Sequence, residues 1–210
     1  MNKKYIIIGA VVVLLAVAIN TSNANTLDVD LDPNNMSSYL RQSQYPRGIK
    51  NNNPLNIKQS SRVYYGKIPY GNNTDGVHEQ FLAFPFGIGA ALKHIRTRYI
   101  TGAIGTIPDC VGGKHYPPHD TIQKIANIWA PKGCDKSATL PNGNNPDEYA
   151  SFVSRETGFS KDMKIDGSNY DVMSALLKAM CLFENGTRYR NTVFKDWDID
   201  FRIAWVVADL

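Results

Sequence analysis

A mainly helical domain with a little extended structure is what this sequence predicts, and three stretches carry the prediction. From Tyr170 the chain reads YDVMSALLKAMCLFENG, with Met173, Leu176, Leu177, Met180 and Phe183 at the three- and four-residue spacings of one buried helix face. Thr121 to Trp129 sets Ile122, Ile125, Ala126 and Trp129 on one side behind Asp120 or Thr121 as N-cap, and Pro131 stops it. Pro146 to Thr157 starts with Asn145 as a cap and Pro146 at the first helical position, presents Tyr149, Phe152, Val153 and Glu156, and ends at Gly158. No internal repeat or low-complexity run breaks the chain, whose 210 residues suit one ordinary domain with appendages.

The elements follow in order from the N-terminus. Met1 to Lys4 carry two lysines, Tyr5 to Ile19 are uninterruptedly apolar, and Ser22 and Ala24 have the small-x-small spacing of a signal-peptidase site. Residues 1–25 therefore read as a signal peptide or a transmembrane anchor, with the N-terminus cytoplasmic and the remainder exported. Residues 26–46 are polar and read as a linker; Asp28, Asp30 and Asp32 alternate there, without the Gly and terminal Glu of a calcium loop. The compact domain is expected over 47–210. Its first stretch, Arg47 to Lys58 (RGIKNNNPLNIK), is too rich in Asn and Pro for a helix and reads as a structured loop. Phe81 to Phe84 reads as a short strand or extended run. Ile88, Leu92, Ile95 and Tyr99 mark a helix from Phe86 to Tyr99. The tail from Val193 to Leu210 is aromatic and apolar, as expected of a final packed segment.

Composition narrows the function classes. Hydrophobic residues at 43% with 20% charged are globular rather than disordered. A formal charge of +4 favours anionic partners, but no dense Lys/Arg run with interleaved aromatics argues for nucleic acid. Three cysteines suit an exported chain: Cys110 and Cys134 flank a Gly-, Pro- and His-rich stretch, and a disulfide between them would contribute about 3 kcal/mol in chain-entropy models. Cys181, inside the apolar helix, reads as a buried thiol rather than a nucleophile. His115 and His119 lie four apart, yet Pro117 and Pro118 between them break the helix that would aim both at one metal, and no metal or cofactor is expected.

The candidate catalytic residue is Glu184. It continues the apolar stripe, four residues after Met180 and seven after Leu177, at a helix end marked by Asn185 and Gly186, which suit a left-handed cap. Apolar neighbours and the negative end of the helix dipole both raise a carboxyl pKa there. A carboxylic acid kept protonated near neutral pH is what glycosidic bond cleavage needs as its general acid. A Glu rotated outward and hydrogen-bonded at a wet helix end fits the same pattern.

With these elements in hand, Arg47 to Gly186 resembles a family of phage-related virion proteins. That family's pattern runs RGIRNNNPGNI, F-x-x-F, G-I-x-A, W-A-P, an acidic or Asn-rich turn with Y-x-x-x-V, and E-N-G. Here the matching runs are RGIKNNNPLNI (Arg47 to Ile57), FLAF (Phe81 to Phe84), GIGAALKHI (Gly87 to Ile95), WAP (Trp129 to Pro131), NNPDEYASFV (Asn144 to Val153) and ENG (Glu184 to Gly186). Two departures stand out: the family's Pro-Tyr pair after E-N-G is replaced by Thr187-Arg188-Tyr189-Arg190, and Pro108 to Asp120 looks like an insertion. The resemblance implies a lysozyme-like fold that degrades peptidoglycan by lytic transglycosylase or muramidase chemistry. It implies association with a virion membrane or the cell envelope, with other virion proteins as partners. A more distant similarity, to lysozyme-like transglycosylases whose catalytic Glu helix precedes an N-x-x-G-I-K loop, implies a circularly rearranged domain in which Glu184 faces Asn53 to Lys58.

On that reading Asn53 and Asn56 bind sugar acetamido groups, and Trp129, Tyr149 and Tyr189 stack on sugar rings. Turn-forming Asn and a plain core Trp129 account for the same residues. Asp75 and Glu79 are the candidates for a second carboxylate, although the substrate's own acetamido group or 6-hydroxyl can supply the nucleophile. The competing class is a non-enzymatic, membrane-anchored virion structural or wall-binding protein. A bacterial secreted wall-remodelling enzyme would share the chemistry.

Overall fold

In a computed structural model the described residues are 29–103, 105–108, 112–136 and 142–210. The helices are α1 (Arg47–Lys50), α2 (Phe84–His94), α3 (Ile122–Trp129), α4 (Pro146–Thr157), α5 (Tyr170–Asn185) and α6 (Trp197–Val207). One two-stranded antiparallel sheet pairs β1 (Ile107–Pro108) with β2 (Lys114–His115), Ile107 opposite His115. The predominance of helix is as the sequence predicts.

The cap residues act as their chemistry dictates. Thr121 accepts from the Lys124 N–H, Asn145 from Glu148 and Asn169 from Val172, each satisfying an otherwise orphaned first-turn donor. Gly158 closes α4 at φ +74°, a left-handed conformation that costs other residues strain. At the end of α5, Gly186 has φ +98° but an extended ψ of 139°, so the expected left-handed cap is instead a turn that leads the chain away.

α2 is the central helix: every residue from Phe84 to Leu92 is buried, so that stretch has no solvent face. Two glycines allow its close contacts. A Cβ on Gly89 would lie 2.5 Å from Val207 and 2.9 Å from the Ala204 carbonyl of α6, and one on Gly87 would lie 1.8 Å from the Asn52 carbonyl. Around this helix, α3 packs on α4 and α4 on α5. Past His94 the chain widens into a π-helical segment, Ile95–Ile100, so the single expected helix from Phe86 to Tyr99 has two geometries.

Two expectations need correcting. Phe81 to Phe84 is extended only as far as Ala83 and is not a strand: Phe81 alone pairs, with Lys67, and Phe84 already opens α2 because Pro85 in the first turn pre-sets helical φ. Nor do residues 29–46 behave as a linker. Leu31, Met36, Tyr39 and Tyr45 pack on the core, Tyr39 lies edge-on to Phe84 at 5.2 Å, and Ser37 Oγ donates to Asp200 at 2.9 Å. The proposed signal or anchor at Tyr5 to Ile19 lies outside the described residues; among those described, no helix is long and apolar enough to cross a membrane. Cys110 also lies outside them, so of the expected disulfide only Cys134 is placed, while Cys181 is a buried free thiol.

The Ser37 contact carries a stability prediction. Asp200 is pushed up to about 6 by burial, which the Ser37 hydrogen bond only partly offsets and the charge of Asp196 reinforces. The folded state thus holds the proton more tightly than the unfolded chain. The associated stability is full below the ordinary carboxylate pKa of 3.8 and is lost as pH rises through about 6. Its size is at most roughly 3 kcal/mol. Asp200→Asn should therefore be more stable than wild type at pH 7, with the gap closing towards pH 4 in thermal melts. Parallel pH profiles for the two proteins would refute this.

Candidate active site

The site lies where the Asn-rich loop meets the C-terminal end of α5. Asn52 and Asn56 take φ of +52° and +51°, a region that Asn enters at less cost than most side chains. Asn53 is fully buried and braces the loop, accepting from the Ile57 N–H at 3.0 Å and donating to the Ile57 and Glu79 carbonyls at 2.9 and 3.0 Å. Asn185 fastens α5 to this loop, donating to the Pro54 carbonyl at 2.7 Å. Gly48 makes the seat possible, since a Cβ there would lie 2.5 Å from Asn185 Oδ1 and 3.3 Å from Asn56 Oδ1.

Glu184 is held from two sides. Asn56 Nδ2 donates to its Oε2 and Trp129 Nε1 to its Oε1, each at 3.1 Å. The Tyr149 hydroxyl, fully buried, is near enough to perturb the carboxyl but makes no hydrogen bond of ordinary geometry. Burial raises the Glu184 pKa; the Asn56, Trp129 and Tyr149 groups pull it back in part, and the negative charge of Asp135 pushes it up again. The net direction is upward. A carboxyl oxygen that accepts one N–H keeps a second position, so the acid's own O–H can face the cleft.

That cleft has a volume of about 920 Å³ and is walled by Asn56, Lys58, Arg62, His94, Arg98, Trp129 and Asp135 as well as Glu184. Behind Trp129 the rings of Tyr99 and His94 stand edge-on at 6.2 and 6.0 Å, and His94 Nδ1 lies 3.0 Å from the Tyr64 hydroxyl. His94 is pushed down to about 4 by burial and by the charges of Arg98 and Arg62, so it is a neutral ring at physiological pH.

The other sequence-derived candidates scatter. Tyr149 is buried against Phe183, ring centroids 4.3 Å apart, and offers no face to a ligand. Tyr189 packs on Tyr45 and is not among the cleft-lining residues. Glu79 is fully buried, ion-paired with Lys67 at 2.8 Å and accepting from the Ser60 N–H. Asp75 lies in a separate hollow beside Arg47 and Lys50. Burial alone would raise its pKa, but hydrogen bonds from Asn51 and His78 hold it down to about 2. Neither Asp75 nor Glu79 lines the Glu184 cleft; Asp135 does. His115 and His119 belong to no group of metal-ligating side chains among the described residues.

Sequence reasoning missed Arg62, His94, Arg98, Tyr99 and Asp135 as cleft residues. The i,i+4 spacing of His94 and Arg98 was a signal for a shared helix face. Asp135, at φ +53° in a turn, carried no signal.

Fold and cleft together define a mainly helical domain with a half-buried carboxyl set among aromatic and cationic walls. No family model matches the sequence. Among curated proteins it is similar to Protein P5 of Pseudoalteromonas phage PM2, 27% identical over 144 residues that span 67% of this chain and 72% of that protein.

Proposed function

We propose that this protein is a peptidoglycan-cleaving glycosidase, of lytic transglycosylase or muramidase type, working from a phage particle to open the bacterial wall. The observation that carries the reading is Glu184: a carboxyl with a raised pKa, oriented by Asn56 and Trp129, at a cleft able to take several sugar units. Glu184 protonates the departing glycosidic oxygen. The substrate's acetamido group or 6-hydroxyl then meets the charge developing at the anomeric carbon, and Asp135 contributes the cleft's other carboxylate. The Asn56 contact, 128 positions from Glu184, supports a lysozyme-like domain with its loop first and its acid last. Similarity to a phage protein supports the virion setting; on this reading the envelope is the site of action, peptidoglycan the substrate and other virion proteins the partners. Residues 5–19 supply a membrane anchor if they are retained.

Trp129 tests the acid role. Its N–H stabilises the ionised carboxyl, so Trp129→Phe should raise the Glu184 pKa further and keep the acid form to higher pH. The alkaline limb of the kcat/KM profile should move to higher pH, even though overall activity falls. A limb that stays put or moves to lower pH would count against Glu184 as the acid.

A further inference from the structure

The cleft wall carries more positive charge than it neutralises. Of its four strong cations, Lys58 lies 3.5 Å from Asp135 and Arg47 lies 3.8 Å from Asp75. Arg62 and Arg98 have no carboxylate partner among the described residues. The two are close enough for the charge of Arg62 to depress the pKa of Arg98, after the effect of burial. Arg98 Nε is itself buried without a hydrogen-bond partner. Two like charges facing one cleft destabilise each other until an anion arrives, and a guanidinium pairs bidentately with a carboxylate.

Backbone geometry helps to bring Arg98 to the cleft. It belongs to the π-helical segment Ile95–Ile100, where the wider turn sets Arg98 and Tyr99 beside His94 on the wall. Such segments often occur at functional sites. A glycan of neutral N-acetyl sugars offers hydroxyls and amides but nothing to neutralise two guanidinium groups. In peptidoglycan the negative charge lies on the peptide stem attached to muramic acid, which bears free carboxylates.

We propose that Arg62 and Arg98 together bind a carboxylate of the peptide stem, so that the cleft selects glycan whose stem carboxylates are free over glycan whose stems are amidated. The inference rests on the glycosidase reading for its choice of substrate. It differs from that reading in the group that it assigns.

The test uses the full-length protein and two substrates, intact peptidoglycan strands and the same strands with their free stem carboxyls amidated, because removing the stem would bare the lactyl carboxylate of each muramic acid. Wild type should show at least about a tenfold higher kcat/KM on strands with free stem carboxylates, since charge-assisted hydrogen bonds are the stronger class. In Arg98→Gln and Arg62→Gln that preference should fall about tenfold. Equal losses on both substrates, or no preference in wild type, would overturn the proposal. A binding arm separates it from the reading beneath it: Glu184→Gln is titrated by calorimetry with a disaccharide tetrapeptide and with the same compound amidated at its carboxyls. Carboxylate-dependent binding that Arg62→Gln or Arg98→Gln removes supports the pair even in a protein that cleaves nothing. Equal binding of the two compounds overturns the pair even in a protein that cleaves well. Arg62 is exposed, so its variant remains informative if Arg98→Gln does not fold.

Discussion

Glu184→Gln should abolish wall lysis while leaving a folded protein. A positioned general acid contributes about 10²- to 10⁴-fold, and Gln cannot give up a proton, so turnover should fall by about that factor. Stability should stay within about 1 kcal/mol of wild type. Gln offers one acceptor where Glu offers two, so either the Asn56 or the Trp129 hydrogen bond is lost. Against that loss, the substitution removes a carboxyl whose ionised form is disfavoured by burial. Purified peptidoglycan, followed by turbidity and by mass spectrometry of the released muropeptides, reads the outcome. Lysis by wild type alone supports the acid, and anhydromuramyl ends identify a transglycosylase. Equal lysis by both proteins removes Glu184 from the chemistry. Wall binding without lysis by wild type favours the non-enzymatic virion module.

Gly87→Ala should be strongly destabilising, because an added Cβ there meets backbone at closer range than at any other described glycine so tested. In an ordinary helix interior the exchange of Gly for Ala stabilises by about 1 kcal/mol. Here the added Cβ would lie 1.8 Å from the Asn52 carbonyl oxygen and 2.8 Å from its carbon, both backbone atoms that cannot swing aside. Either α2 or the Asn loop must retreat by about an ångström, and the loop is tied down by Asn52 to Phe81 and by Asn53 to Glu79. Overpacking of this kind costs about 3 kcal/mol or more. In a domain of this size that lowers the melting temperature by about 6 to 12 °C. An unchanged or higher melting temperature would mean that the loop is not seated on α2 as described. Because the same loop carries Asn56, any variant that folds should also cleave poorly.

The parts of the fold that were legible in the sequence are those set locally. Thr121, Asn145 and Gly158 mark helix ends through hydrogen bonds or backbone angles that a few neighbouring residues decide, and the stripe from Met173 to Phe183 reports its buried face directly. Glu184 and Asn56 were legible because an acid on an apolar stripe and an Asn-rich loop are both unusual. The rest depends on contacts between distant segments. Asp75 and Glu79 looked alike in sequence, yet one is bound by Asn51 and His78 and the other by Lys67 in the interior. Asp135 enters the cleft through a turn that no spacing announces. Tyr149 and Trp129 are both aromatic and both near Glu184, but only Trp129 reaches the carboxyl with an N–H, and packing against Phe183 buries the other.

The stitch between the Asn loop and α5 has a consequence in time. Asn56 and Glu184 are separated by 128 positions, and Pro54 and Asn185 by 131. Contacts of such separation carry a large loop-closure cost, which slows folding. During synthesis, a ribosome that has already released the loop and α2 has not yet made the acid or the residue that fastens it. No nascent fragment that stops short of Glu184 can carry the candidate site, even with the Asn loop and α2 complete.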